Sequence, residues 1–294
     1  MNEEITFTEG DYPGLYQAAD TESKKSQQIY YRCLCSYLGL LILGVIIALF
    51  LGDSKLLAII SAASFLGALS ICIFLAAKRH DRKWYTARAV AESVKTRTWR
   101  YMMRAEPYDC PDIEARKFFL SDLQLILIQN REVTKELSGE SATHDAINIK
   151  MELIKSMDLQ TRKSIYKKLR IENQLNWYSL KAVINKKQNR KYFILLVAVN
   201  IMAVVCVILR VAFPSWKYLP TQVFAVGAAS IVSWLQAKRF GDLSTSYSLA
   251  AHEISIISAL ADDTKTEEDF SRFVSDTENA FSREHTQWVA RRDI

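Results

Sequence analysis

The run Arg97-Thr98-Trp99-Arg100-Tyr101-Met102-Met103-Arg104 places three guanidinium groups among aromatic rings. Guanidinium forks hold phosphate oxygens two at a time, and aromatic faces stack on bases. The run ends a basic stretch, Lys78–Arg104, with nine lysines and arginines against Asp81 and Glu92. A second stretch, Arg162–Lys191, has ten against Glu172 alone. Arg97, Trp99, Arg100 and Arg104 in the first, and Arg162, Lys163, Lys167, Lys168, Trp177 and Lys181 in the second, are the candidate ligand-binding residues. The chemistry they suit is capture of an anionic ligand. Two other uses stay open. Charges within a turn or two of a membrane set topology and touch anionic lipid heads. The same residues could also bury an aromatic face and pair with the acidic tail, where residues 262–294 carry nine acids against five bases.

Chemistry of other kinds lacks its residues. The sequence has no phosphate-binding glycine loop and no nucleophile elbow. His80, His144, His252 and His285 are scattered, and His252-Glu253 lacks the second histidine of a metalloprotease helix. No catalytic residue, metal or cofactor is expected, and the chain reads as something other than an enzyme. The five cysteines show no zinc-ligand spacing, and a reducing cytoplasm argues against disulfides.

The elements that must position these residues are set by four apolar blocks, Leu34–Leu51, Leu56–Ala77, Tyr192–Phe213 and Leu219–Ala237. About 20 helical residues cross a hydrocarbon core of ~30 Å. One such block could be the core helix of a soluble protein, but four, paired by short turns, read as transmembrane helices. The turns are Gly52-Asp53-Ser54-Lys55 and Pro214-Ser215-Trp216-Lys217-Tyr218. The formal charge of +6 is uneven: basic residues precede the first and third spans and follow the second and fourth, while the turns hold only Lys55 and Lys217. The positive-inside rule then puts both termini and the middle segment in the cytoplasm. No cleavable signal is expected, since the N-terminus is acidic and the first apolar stretch begins only after about thirty residues.

The fold class expected is an all-α membrane protein: four transmembrane helices in two parallel-repeat hairpins, with a cytoplasmic helical bundle. Each half has a basic lead-in, two spans, then Ala-Lys-Arg, at Ala77-Lys78-Arg79 and again at Ala237-Lys238-Arg239. The halves are 1–145 and 146–294, with a polar break at Ser138-Gly139-Glu140-Ser141. In the middle segment Ile113–Gln129 reads as helix, although Leu125–Ile128 alone could pass for a strand. Ile147–Lys191 reads as one long helix feeding the third span. Within the spans Asn200, Gln222, Ser230, Ser233, Gln236, Ser61 and Ser64 are the candidate pore-lining residues. Polar side chains in a membrane face a bundle interior or a water path, but small residues also let helices pack closely. For the serines packing is favoured; for Asn200 and Gln222 both uses stand. One four-helix chain rarely encloses a pore, so a homo-oligomer, such as a tetramer, is expected.

Glu92–Pro107 resembles the post-hairpin stretch of the SLATT proteins, as does Tyr12–Asp20 before the first span. Asn176–Ala182 resembles the family's pre-hairpin helix and Phe281–Arg292 its tail. The resemblance covers nearly the whole chain as two tandem units. It implies a bacterial inner-membrane, pore-forming effector of anti-phage abortive infection. It also implies control by a nucleotide or oligonucleotide from a partner nucleotidyltransferase, which opens the pore or holds it closed. The other reading is a non-conducting membrane scaffold or sensor that recruits a soluble partner.

Overall fold

The computed structural model describes residues 6–50, 54–131, 144–216 and 218–290, with side chains through Ser282. The turn at Gly52-Asp53, the break at Ser138–Ser141 and Lys217 lie outside them. Among the described residues every regular element is helical. The order is α1 (Gly14–Leu49), α2 (Lys55–Lys78), α3 (His80–Met102), α4 (Asp112–Gln129), α5 (Ile149–Lys155) and α6 (Leu159–Tyr166). A π-helical segment (Lys167–Glu172) follows, then α7 (Asn173–Ala212), α8 (Thr221–Lys238), α9 (Phe240–Leu260) and α10 (Glu267–Ala290). Leu125–Ile128 falls within α4, whose Ala115, Phe119, Leu123 and Ile126 recur every three or four residues and are buried.

Three helical stretches are long and apolar enough to cross a membrane: Gly14–Leu49, Lys55–Met102 and Leu159–Ala212. Their apolar side chains are largely uncovered, as at Ile59, Leu66, Ile73, Ile201, Ile208 and Val211. Such surface has no place in water but suits lipid. The fourth expected span coincides with α8, only 18 residues long. Gln222, Ser230, Ser233 and Gln236 dilute its apolar character, so it falls outside that set.

The helix after Ile147 is not continuous. Asn148 caps α5 by accepting from Met151 N at 2.8 Å, and Asp158 caps α6 by accepting from Thr161 N at 3.1 Å. Each cap takes one of the amide groups that a helix start leaves unpaired, so a new helix begins at each. A break at Ser156–Asp158 and the π segment therefore divide the expected single helix.

The repeated Ala-Lys-Arg has a geometric meaning. Arg79 (φ 46°) and Arg239 (φ 49°) are both left-handed C-caps, donating N–H to Leu75 O at 3.2 Å and Leu235 O at 2.8 Å. For a residue with a Cβ that conformation costs roughly 1 kcal/mol, and it ends the helix at the same point in each half.

Two compact units cut across the order of the chain. One gathers Met1–Gln27, His80–Tyr178 and Leu249–Ile294; the other gathers Gln28–Arg79 and Ser179–Ser248. In the second unit α1 and α2 pack through Gly44, whose carbonyl accepts from Ser61 Oγ at 3.0 Å. A Cβ at Gly44 would come within 2.9 Å of the Phe65 ring. Gly44→Leu is expected to separate this hairpin and cost about 1–3 kcal/mol, read as a lower unfolding midpoint in detergent. In the same unit Tyr31 meets Trp234 at 5.8 Å, Lys238 Nζ sits 3.2 Å from the Tyr31 ring centroid, and Tyr192 stacks on Phe240 at 5.6 Å.

Candidate functional site

The basic-aromatic residues of α3 do not stand free. Trp99 is 1% exposed, and its Nε1 donates to Tyr12 Oη at 2.8 Å. Its ring meets Phe7 and Tyr166 edge-on at 5.7 and 5.8 Å. Tyr101 stacks on Phe119 at 4.7 Å and donates to Glu152 Oε1 at 2.8 Å. This aromatic face is core, built because Val90, Val94, Thr98 and Tyr101 share one side of the helix. Arg97 lies at the margin, with Nη1 3.3 Å from Asp122.

Four of the remaining candidates, Arg100, Arg162, Lys163 and Lys167, converge on the C-terminal segment. Arg100 Nη2 donates to Ser275 O at 3.1 Å and to Asn279 Oδ1 at 2.7 Å. Arg162 is buried, donating to Met157 O at 3.0 Å and Met103 O at 2.6 Å, and pairing with Glu267. Lys163 Nζ donates to the carbonyls of Asp262 and Thr264 at 3.1 and 2.9 Å, and Lys167 grips the Asp262 carboxylate at 2.8 Å. Arg104, left-handed at φ 53°, closes α3 and donates from Nε to Lys155 O at 3.0 Å. Lys168 is exposed on the π segment. Trp177 is exposed and meets Tyr178 at 4.9 Å, while Lys181 is half-buried one turn further along α7.

The deepest part of the site is one that sequence reasoning missed. Glu278 of α10 is fully buried and accepts from four groups. Arg170 supplies Nε and Nη2 at 2.8 and 2.7 Å, Tyr166 its hydroxyl at 3.0 Å and Thr96 its hydroxyl at 3.0 Å. The Arg170 guanidinium lies 5.0 Å from the Phe281 ring centroid. Burial by itself would depress the Arg170 pKa, but the Glu278 charge and hydrogen bonds outweigh it and hold the guanidinium above its ordinary value. Burial pushes the Tyr166 hydroxyl well up, with the Glu278 charge adding to it, so it stays protonated and donates. Lys95, half-buried and 6.0 Å from the Tyr12 ring centroid, has its pKa lowered by partial loss of solvent. A signal for Glu278 exists in the sequence. Phe270, Val274, Glu278 and Phe281 follow helical core spacing, so an acid there occupies a core position.

The polar residues of the apolar helices divide in two. Ser61, Ser64 and Ser230 are buried in helix packing, whereas Asn200, Gln222, Ser233 and Gln236 are exposed on the surface of the chain. Asn200 Nδ2 and Ser233 Oγ turn back to the carbonyls of Leu196 and Ala229, at 2.8 and 3.0 Å.

Residues 13–163 match SMODS and SLOG-associating 2TM effector domain 3, and residues 166–288 match SMODS and SLOG-associating 2TM effector domain 1. No curated protein and no solved structure matches the chain. These effector domains are associated with defence systems, and with the apolar helices they make this a membrane protein. The chain therefore belongs to the SLATT family, with two SLATT domains in tandem.

Proposed function

We propose that this chain is the subunit of a homo-oligomeric, ligand-gated pore that permeabilises a bacterial inner membrane in abortive infection. Four spans cross the membrane, α8 being the fourth, and both termini are cytoplasmic. Two domains, each of a two-transmembrane class, support that count.

The observation that carries the pore is the outward exposure of Asn200, Gln222, Ser233 and Gln236 on otherwise apolar helices. Ser233 and the Asn200 Nδ2 are served by their own helices, but lipid offers no hydrogen bonds to the amides of Gln222 and Gln236, and a second copy of the chain or a water path supplies them. The ligand is a nucleotide or short oligonucleotide made by a partner nucleotidyltransferase. It binds the basic face of α6 and the π segment in place of the acidic segment Asp262–Glu267, which Lys163, Lys167 and Arg162 now hold. Asp262 is 67% exposed and Lys167 31%, so the contact is open to competition from solvent. Preference of the ligand for one arrangement shifts the pore equilibrium by that difference in affinity.

Ion or dye flux from liposomes holding the purified protein, with and without short oligonucleotides and cyclic nucleotides, tests this reading. Ligand-dependent flux is expected, and Lys163→Ala/Lys167→Ala should abolish the dependence. Absence of flux from oligomeric, correctly inserted protein under every condition would favour the scaffold reading. That second reading draws on the acidic C-terminal segment, where the exposed Glu268 and Asp276 of α10 offer a partner surface.

A further inference from the structure

Lys167–Glu172 is a π-helix six residues long, set between the regular turns of α6 and the 40-residue α7. A π turn holds one residue more than an α turn and makes poorer use of its hydrogen bonds, so π segments are rare and recur at functional sites. Something outside the helix must hold this one. Arg170, inside the segment, gives two hydrogen bonds to Glu278, and Tyr166, the residue before it, gives a third. Thr96 of α3 fixes the second carboxylate oxygen at 3.0 Å. One carboxylate from α10 thus grips both the last α turn and the π turn. The grip is incomplete, since the buried Arg170 Nη1 has no hydrogen-bond partner.

We propose that Lys167–Glu172 is a register switch clamped by Glu278. With α10 docked the segment stays π; once the carboxylate lets go, it relaxes to α and turns α7 about its own axis. The turn is about 100°, one residue's share of a 3.6-residue helical turn, with a shift of ~1.5 Å along the axis. No break interrupts α7 between Asn173 and Ala212, so the turn reaches Asn200 and changes the neighbour that this amide faces. The Asp262–Glu267 segment held by α6 and the π segment leads directly into α10, so an anionic ligand competing for Lys163 and Lys167 would loosen the clamp. The gating role rests on the pore reading above. The rotation itself does not, and it is measured without flux.

Single cysteines at Ala182, Val183, Ile184, Asn185 and Lys186, in full-length protein without its native cysteines, report the facing of α7 in nanodiscs. Asn185 is 9% exposed, against 67% for Val183 and 41% for Ile184, so thiol labelling should be slowest at position 185. In Glu278→Gln the minimum is expected to move one residue toward the N-terminus, to 184, with labelling at 185 rising to the rate that position 184 shows in the parent. Deleting Lys168 removes the surplus residue and makes the segment α without turning its flanks, so in that background Glu278→Gln should leave the minimum at 185. If Glu278→Gln fails to fold, Thr96→Val weakens the clamp more gently and should give a smaller shift of the same kind. A minimum fixed at 185 in every folded variant, an even rise at all five positions, or a shift that survives the deletion would overturn the switch.

Discussion

Glu278→Ala is expected to destabilise the unit built around α3, α6 and α10 by about 3–5 kcal/mol, the usual cost of leaving half of a buried ion pair. The partner left behind is Arg170, 1% exposed, whose guanidinium then has neither carboxylate nor water. Tyr166 and Thr96 lose their acceptor in the same step. Arg170→Met should cost a similar amount, because it strands Glu278 instead. The double variant Arg170→Met/Glu278→Leu removes both charges and should recover much of the loss, since a desolvated pair is often matched by apolar groups of similar volume. With Glu278→Leu added as the matching single variant, denaturant titration in detergent, followed by the fluorescence of Trp99 5.8 Å from the Tyr166 ring, gives the four corners of the cycle. A cost under about 1 kcal/mol for either single variant would mean that the pair adds no more than an exposed one does.

The ion pair also shows where sequence reading stops. Apolar blocks announce helices because burial in lipid needs length and an absence of charge, and both are local properties. The Ala-Lys-Arg repeat and the α4 periodicity were legible for the same reason. The fate of the basic residues was not. Arg97, Arg100, Arg162 and Lys167 look alike in a charge count, yet one lies at a margin, two are buried against backbone carbonyls and one holds an exposed aspartate. What separates them is where α10 docks, and that depends on contacts between residues more than a hundred positions apart. The acidic tail suggested a partner for the basic stretches by net charge alone. That one buried acid, Glu278, would organise the contact could be suspected only from its place in the Phe270–Phe281 spacing. The π segment left no trace in composition, because its extra residue differs in no way from those around it. The matched regions 13–163 and 166–288 follow the chain in order, whereas the compact units interleave. Sequence similarity tracks the repeated hairpin plan, while compactness tracks which helices bury one another.

Truncation after Asp263 is expected to abolish cooperative folding of the same unit. It removes Phe270, Val274 and Phe281, each buried, and apolar side chains of this size contribute about 1.5–3 kcal/mol apiece. It also strips the partners from Arg100 and Arg170 and removes Glu267 from Arg162, all three arginines being buried. The combined loss is of the order of a whole domain's stability, about 5–15 kcal/mol. The truncated chain should therefore accumulate poorly and bind a hydrophobic dye such as ANS, and a lost phenotype would say nothing about recruitment of a partner. Reversing exposed charges on α10 isolates that question. Asp276 is exposed, and Glu268 holds only a surface pair with Arg272 at 2.9 Å, so Asp276→Lys/Glu268→Lys should change stability by no more than about 1 kcal/mol. A pore subunit keeps its ligand-dependent flux in this variant, because the Glu278 contact is untouched. A scaffold that recruits a soluble partner through the acidic face of α10 loses the partner and its function together, at unchanged folding midpoint.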